Sequence, residues 1–432
     1  MSSEFILMLS LLGALAIAGV PIGLSLIGSS ISYIIMRGLP LIAVTDSIMQ
    51  SFSSNFVFLA IPLFIFAARI MNSGTITDRM LGFAVGTVGH FRGGLSQVNV
   101  LTSLIFSGMS GSATADAAGI GSVLVRMMRN NNRYPAGYAG AITAASSVIG
   151  PIFPPSIPMI FYAISANASV GSLFLGGILP AVMIALALMV LSYLIAVRRD
   201  FPIEEKPSTA ERFRLMRDAV LPLLTPVILL GGIYSGIMTP TEAAAVAVAY
   251  AGILSMFIFR AMGPHELWKV LVDSAEKSAV VVMILAGAFL FSYVVAIERL
   301  PNTLADWVGG LDLSPTAFIL LVNIVILALG MVLPAATILL VIIPVIVPAT
   351  LTLGIDPIHF GVVIVINTMI GLVTPPYGVL IFVVSAVNKI PTWDVIKEIP
   401  LFIVVLITCL MILVLIPDIV LFVPKLFGYR PL

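Results

Sequence analysis

The sequence predicts an all-α polytopic membrane protein built as an inverted repeat, with two re-entrant helical hairpins and two broken helices. Three observations carry that prediction. The chain is 60% hydrophobic and only 9% charged, whereas a soluble chain carries roughly 25% charged residues. Two pairs of apolar segments flank turns of small or helix-breaking residues and do not behave as simple spans. A Gly-x-x-x-Pro-Pro motif occurs twice, each time after such a pair.

Over 432 residues and at a mean hydropathy of +1.17, the apolar runs recur from end to end. They leave no stretch for a separate soluble domain, so lipid is the solvent. Spans are expected at about 5–19, 21–36, 53–72, 136–165, 173–197, 219–237, 240–260, 278–298, 358–388 and 400–422. Pro21 and Pro240 divide two long runs, so ten to twelve helices are expected. Helices are required because lipid satisfies no backbone N–H or C=O. The first run begins at Phe5 with no basic segment before it, so no cleavable signal is expected.

The composition also excludes function classes. A net charge of +1 gives no basic field for nucleic acid. Cys409 is the single cysteine and lies in an apolar run, which excludes an intrachain disulfide and a thiolate metal cluster. His90, His265 and His359 fit no metal-ligand spacing. There is no nucleophile elbow, no Walker motif and no glycine-rich loop after a strand. The reading is a non-enzyme without cofactor, coupled to energy through an ion gradient.

The polar stretch Arg198–Arg217 holds six of the 21 basic residues, so it is expected on the cytoplasmic side. It divides the chain into a first repeat, 1–197, a linker, 198–217, and a second repeat, 218–432. The amphipathic segment 262–277, with Trp268 and Lys269, is expected to lie along the cytoplasmic interface; its counterpart is 38–52.

The first hairpin is expected at 95–129. Its first arm, 95–107, reaches only about 20 Å against a hydrocarbon core of about 30 Å. Arg92 precedes the pair and Arg126, Arg129 and Arg133 follow it, so both ends sit on the cytoplasmic face. The second hairpin, at 315–350, turns near Leu333-Pro334-Ala335-Ala336-Thr337. It is flanked by Asp306, Asp312 and Asp356, with no Lys or Arg between Arg299 and Lys389, and is expected to enter from the opposite face. The broken helices follow at 136–165 and 358–388. Gly150-Pro151-Ile152-Phe153-Pro154-Pro155 is echoed by Gly371-Leu372-Val373-Thr374-Pro375-Pro376. Phe161 and Phe382 keep the same offset, and Gly108-Met109 recurs as Gly330-Met331. Two related halves follow.

Adjacent prolines break a helix, and the freed backbone groups survive at membrane depth only where they line a protein-enclosed site. Exposed carbonyls and hydroxyls suit Na⁺, and the positive ends of half-helices suit a carboxylate. The alternative is a pair of structural kinks. The first tip carries Ser107, Gly108, Ser110, Gly111, Ser112 and Thr114, which suit either a ligand site or close helix packing. Ser103, Ser146, Ser147 and Ser156 are second-tier candidates. Asp116 is open to two readings, an ionisable ligand at membrane depth or a cap on the hairpin's second helix. Glu242 reads as a capping carboxylate. Asn55, Asn99, Asn323 and Asn367 read as interhelical hydrogen-bonding groups.

These residues resemble a known family. Ser107-Gly108-Met109-Ser110-Gly111-Ser112-Ala113-Thr114-Ala115-Asp116, Gly150-Pro151-Ile152-Phe153-Pro154-Pro155-Ser156, the stretch Gly232 to Ala244, and Thr374-Pro375-Pro376-Tyr377-Gly378 are similar to the large membrane subunit of tripartite ATP-independent periplasmic (TRAP) transporters. The resemblance covers essentially the whole chain. It implies a Na⁺-driven carrier of elevator type in the bacterial inner membrane, importing an organic acid such as sialic acid or a C4-dicarboxylate. It also implies a small four-helix membrane subunit and a periplasmic substrate-binding protein as partners. Two Na⁺ sites are implied, one where 107–114 meets 150–156 and one where 330–337, with Gly330 and Thr337, meets 371–376, with Gly371, Thr374, Pro375 and Pro376. The chain departs from the family pattern in one respect: no charged residue lies between Asp312 and Asp356, where many members carry an acid shortly after the glycine matching Gly330. Two alternatives are a stand-alone Na⁺/carboxylate symporter of the same architecture and a scaffold or channel subunit without a coupled site.

Overall fold

The computed structural model describes residues 2–72, 74–130, 133–203, 206–311 and 313–431; Asp312, one of the flanking acids, lies outside them. The described residues form helices and no named strand, with one isolated bridge between Arg92 and Ile203. Six helices, or seven counting one bent pair, are long and apolar enough to cross a membrane, and six shorter apolar helices accompany them.

The first half opens with α1 (Ser3–Ile17) and α2 (Ile22–Met36), divided at Pro21 as expected. Next come α3 (Ile42–Ser54) and α4 (Ala60–Met71), which meet at an angle of 75°. Asn55 sits at that bend and donates back to the Ser51 carbonyl at 3.3 Å, so it terminates its own helix rather than joining two. A helix absent from the sequence reading, α5 (Gly74–Val88), runs between α4 and the first hairpin. The hairpin consists of α6 (Gly94–Ser110), then α7 (Ala113–Ala118) and α8 (Ile120–Arg129). The first broken helix is α9 (Ala136–Ser147) and α10 (Ile157–Ala166), followed by the 29-residue α11 (Val170–Arg198).

In the second half the polar linker is shorter than expected. Ser208 caps α12 (Thr209–Tyr234) by accepting from the Glu211 N–H, so residues 209–217, nearly half of the linker, are already helical. Thr239 and Glu242 form a reciprocal capping box at the start of α13 (Pro240–Ile253), as the sequence indicated. The segment 262–277 is not a separate interfacial helix. It forms the first turns of one 34-residue helix, α14 (Pro264–Ile297). No proline or glycine interrupts residues 265–286, so charge alone marks the transition and the backbone continues through it. A short α15 (Leu300–Gly309), also missed by hydropathy, leads to the second hairpin. That hairpin is α16 (Pro315–Gly330), then α17 (Ala335–Thr337), which runs through a π turn at Ile338–Ile342 into α18 (Ile343–Thr352). The second broken helix is α19 (Pro357–Gly371) and α20 (Val379–Asn388). The expected span at 400–422 is two helices, α21 (Thr392–Leu415) and α22 (Pro417–Leu426), parted at Ile416 by the following proline.

α2 and α4 lie against α14, α4 against α13 and α5 against α12, while the hairpins pack on the broken helices and α11 and also, through α6 and α18, on α5 and α15. The start of α1 and the end of α2 are tied to α14 at Glu298, just past that helix. This carboxylate, its side chain 5% exposed, accepts from the Ser2 N–H at 3.0 Å, the Ser2 hydroxyl, the Tyr33 hydroxyl at 2.6 Å and the Arg37 guanidinium at 3.2 Å. Burial alone would raise its pKa, but the Ser2, Tyr33 and Arg37 contacts win and hold it at about 2 against an ordinary 4.5. A depressed carboxylate stabilises the fold fully above its ordinary pKa and loses that contribution as pH falls through the folded value. Glu298→Gln is expected to cost about 2 kcal/mol of stability and to flatten the acid limb of the melting profile. An unchanged profile between pH 7 and pH 2 would rule the clamp out.

Candidate functional site

Each hairpin tip ends against the break that follows it in sequence. At the first, Gly111 turns the chain with φ +56°, and a Cβ there would sit 2.5 Å from the Pro155 carbonyl oxygen. A Cβ on Gly150 would face the Ser112 backbone at 3.5 Å. At the second, a Cβ on Gly371 would lie 2.7–2.9 Å from three backbone atoms of Gly330. Both breaks carry a cis peptide, Pro154–Pro155 and Pro375–Pro376. The two contacts also share one region: α20 packs on α7 and α8, while α10 packs on α17 and α18. The second arm of each hairpin therefore lies beside the second half of the other repeat's broken helix.

The structure sorts the sequence candidates by what their side chains already do. Ser112 caps α7, accepting from the Ala115 N–H at 3.4 Å, and lies 3.2 Å from the exposed Thr114 hydroxyl. Ser156 caps α10 by accepting from the Met159 N–H at 3.1 Å and donates to the Pro151 carbonyl. Ser107 donates to the Leu104 carbonyl and Thr374 to the Ile370 carbonyl. A hydroxyl that donates in this way keeps lone pairs for a cation. Gly108 faces Pro226 and Phe153, which is close packing. Among the candidate site residues, three carry buried polar groups without a hydrogen-bond partner: the Ser110 hydroxyl, the Thr337 hydroxyl and both oxygens of Asp116.

Asp116 is fully buried. The Ser103 and Ser147 hydroxyls lie beside it, yet Ser103 turns to Ser146 at 3.1 Å and Ser147 donates to the Thr143 carbonyl at 2.7 Å. Of the capping alternative for Asp116, the position holds and the hydrogen bond does not: Asp116 is the acid in the first turn of α7, but Ser112 is the cap. Behind it runs a buried network in which Asn99 donates to Thr143 at 2.7 Å and accepts from Ser146 at 2.9 Å, joining α6 to α9. In the second half Asn367 donates to the Asn323 carbonyl at 2.7 Å, joining α19 to α16. Each half thus fastens its hairpin's first arm to the helix before the break through buried asparagines, as the sequence reading had it for these three. No acid stands in the second half where Asp116 stands in the first; Ile338, five residues past the Leu333 turn, is buried there.

The two sites differ in access. Tip and break are nearly closed in the first half, with Thr114 the exposed candidate. In the second, Val332 is 62% exposed, Tyr377 59% and Phe382 45%, while the equivalent Phe161 is 5% exposed. Tyr377 and Phe382 pair with ring centroids 6.1 Å apart. Sequence reasoning did not single out this aromatic pair; the only signal was Phe382's matching offset.

Residues 9–419 match the family described as the tripartite ATP-independent periplasmic transporter, DctM component. The chain is 40% identical to the sialic acid TRAP transporter large permease protein SiaM of Vibrio cholerae, covering 96% of this chain and 97% of that one. It is 39% identical to the C4-dicarboxylate TRAP transporter large permease protein DctM of Pseudomonas aeruginosa, over 87% and 88% of the two chains. Among solved structures, the YdaH transporter of Alcanivorax borkumensis shares the fold, with a TM-score of 0.62 at 16% identity over 87% of each chain. MtrF of Neisseria gonorrhoeae does so with a TM-score of 0.57 at 14% identity, over 86% of this chain and 84% of that one. The protein is therefore a member of the DctM family, the large permease component of tripartite ATP-independent periplasmic transporters.

Proposed function

We propose that this permease carries out sodium-coupled import of an organic acid, of the sialic acid or C4-dicarboxylate type named for its relatives. It would work in the bacterial inner membrane with a small four-helix membrane subunit and a periplasmic binding protein that delivers the substrate. The observation that carries this reading is the docking of each hairpin tip on the break that follows it. A donor set of backbone carbonyls, hydroxyls and one carboxylate suits Na⁺ as co-transported ion. In the first half the candidates are Ser110, Ser112, the Gly150 backbone and Asp116. In the second they are the Gly330 and Gly371 backbones, Thr337 and Thr374. The starts of α10 and α20, the second halves of the two broken helices, suit the substrate carboxylate through the partial positive charge of a helix N-terminus. Movement of the hairpins and broken helices as one body against α2, α4, α13 and α14 would give an elevator-type exchange of access.

The test is uptake of labelled N-acetylneuraminate and succinate into proteoliposomes holding the permease and its small partner under an inward Na⁺ gradient. Uptake of either acid that needs both Na⁺ and the binding protein is the expected result. Uptake indifferent to the binding protein would move the chain to the stand-alone symporters. Ser112→Ala is expected to raise the Na⁺ concentration for half-maximal uptake about tenfold, the loss of one charge-assisted contact. A scaffold or channel subunit would leave Na⁺ dependence untouched in Ser112→Ala and Thr374→Ala alike.

A further inference from the structure

The second break opens where the first is closed, and what it exposes is aromatic. Pro154, Pro155 and Ser156 are buried at the first break, whereas Pro376, Tyr377 and Val379 are exposed at the second. α19 carries 15 residues up to the break and α20 a further 10, about 22 Å and about 15 Å of helix, so the opening lies at mid-membrane depth. Irregular backbone at that depth is tolerated only inside protein or along a water-filled cavity. The exposed residues therefore line a cavity rather than face acyl chains. Within it Tyr377 pairs with Phe382, ring centroids 6.1 Å apart, and its hydroxyl makes no hydrogen bond among the described residues.

The surroundings of this pair say what it can receive. Tyr377 directly precedes Gly378, the cap of α20, so the rings flank a helix start that suits one carboxylate. α20 packs on α7, which adds the exposed Thr114 hydroxyl, and α17 packs on α19, which adds the buried, unpartnered Thr337 hydroxyl. Cationic side chains are missing. No Lys or Arg lies between Arg92 and Arg126, between Arg133 and Arg198 or between Arg299 and Lys389, the stretches that supply both tips and both breaks. A second carboxylate would leave water without a cationic side chain to meet it, which is costly. We propose that Tyr377 and Phe382 are a specificity-determining platform for the carbon body of a monocarboxylate, so that the substrate is a sugar acid of the N-acetylneuraminate kind rather than a C4-dicarboxylate. Ligand pockets are lined mainly by aromatic and apolar side chains, with a few polar groups that fix orientation. A pyranose ring offers a C–H face to the aromatic rings and hydroxyls to Thr114 and the Tyr377 phenol. The choice between acids rests on the import reading; the platform itself does not.

Tyr377→Trp keeps an aromatic ring at the opening and reports on it. Its emission is measured on the permease with its small partner in phosphatidylcholine nanodiscs, titrated with sodium N-acetylneuraminate or sodium succinate, against the parent with its three tryptophans. The expected result is a saturable change absent from the parent, at N-acetylneuraminate concentrations about tenfold below those needed for succinate. In proteoliposomes, Tyr377→Ala should narrow the ratio of N-acetylneuraminate to succinate uptake about tenfold, the worth of one aromatic contact, and Tyr377→Phe should keep most of it. A merely structural residue would lower both rates and leave their ratio unchanged, which would overturn the platform. So would quenching of the Tyr377→Trp emission by dibrominated phosphatidylcholine chains, since the ring would then face lipid. A parent that prefers succinate, or no emission change with either acid, overturns it equally. A saturable change with N-acetylneuraminate but no Na⁺-driven uptake by the parent would sink the import reading and leave the platform standing.

Discussion

Asp116→Asn is expected to lower Na⁺-dependent uptake about 100-fold, equivalent to about 2.7 kcal/mol, while leaving the permease folded. A carboxylate removed from water costs several kcal/mol unless a counter-charge compensates it. Asp116 is fully buried, both of its oxygens lack a hydrogen-bond partner, and the hydroxyls beside it donate elsewhere. A residue placed in this way is a liability for a fold and an asset for a site that must hold a cation. Asparagine keeps the shape and removes the charge, so its melting temperature should equal or exceed that of the parent. The checks are initial uptake rates across a Na⁺ series and a thermal melt of the same preparation. A variant that transports with unchanged Na⁺ dependence would return Asp116 to a structural role. A variant that melts early would show that the charge is paired in the resting protein.

The second large effect is a contrast between two glycines that touch. Gly371→Ala is expected to cost about 1–3 kcal/mol, the usual range for overpacking a rigid contact, and to cut uptake by an order of magnitude or more. Its new methyl would meet three Gly330 backbone atoms at 2.7–2.9 Å, and backbone cannot rotate away as a side chain can. Gly330→Ala has its nearest contact at 3.4 Å and should be tolerated within about 0.5 kcal/mol, the range of substitutions that disturb no special feature. Paired melting and uptake measurements decide the matter. Equal effects at the two positions would mean that the hairpin tip does not rest on the break.

These contacts explain which parts of the protein were legible in its sequence. The breaks were legible because adjacent prolines deny a helix its hydrogen bonds wherever they stand. The hairpins were legible because the charges at their flanks are local properties, arginines at the first and acids without Lys or Arg at the second, although the first arm, α6, runs to 17 residues rather than the 13 of 95–107. Asn99, Asn323 and Asn367 could be read as interhelical groups because an amide in an apolar run must find a partner. The sequence could not reveal that Ser107 and Thr374 spend their protons on carbonyls four or fewer residues back, whereas Ser110 and Thr337 do not. That depends on rotamer and on what packs opposite. Hydropathy divides α14 at Lys277, although a helix follows backbone continuity. α5 and α15 were passed over because helices lying outside the apolar runs leave little hydropathic trace. The Glu298 clamp joins residues separated by up to 296 positions, and no local pattern announces it.

The dependence of each hairpin on a later segment bears on how the chain is made. α6 and α16 hold 17 and 16 residues, about 24–26 Å of helix, so neither can be threaded across the bilayer as an ordinary stop-transfer segment. The surfaces that complete them, Pro155 for Gly111 and Gly371 for Gly330, emerge about 40 residues afterwards. At roughly 5–20 residues per second, each hairpin waits for several seconds with the backbone of its tip uncovered. During biogenesis the insertion machinery must shelter those tips, and a chain cut between tip and break would leave a hairpin that has nowhere to settle.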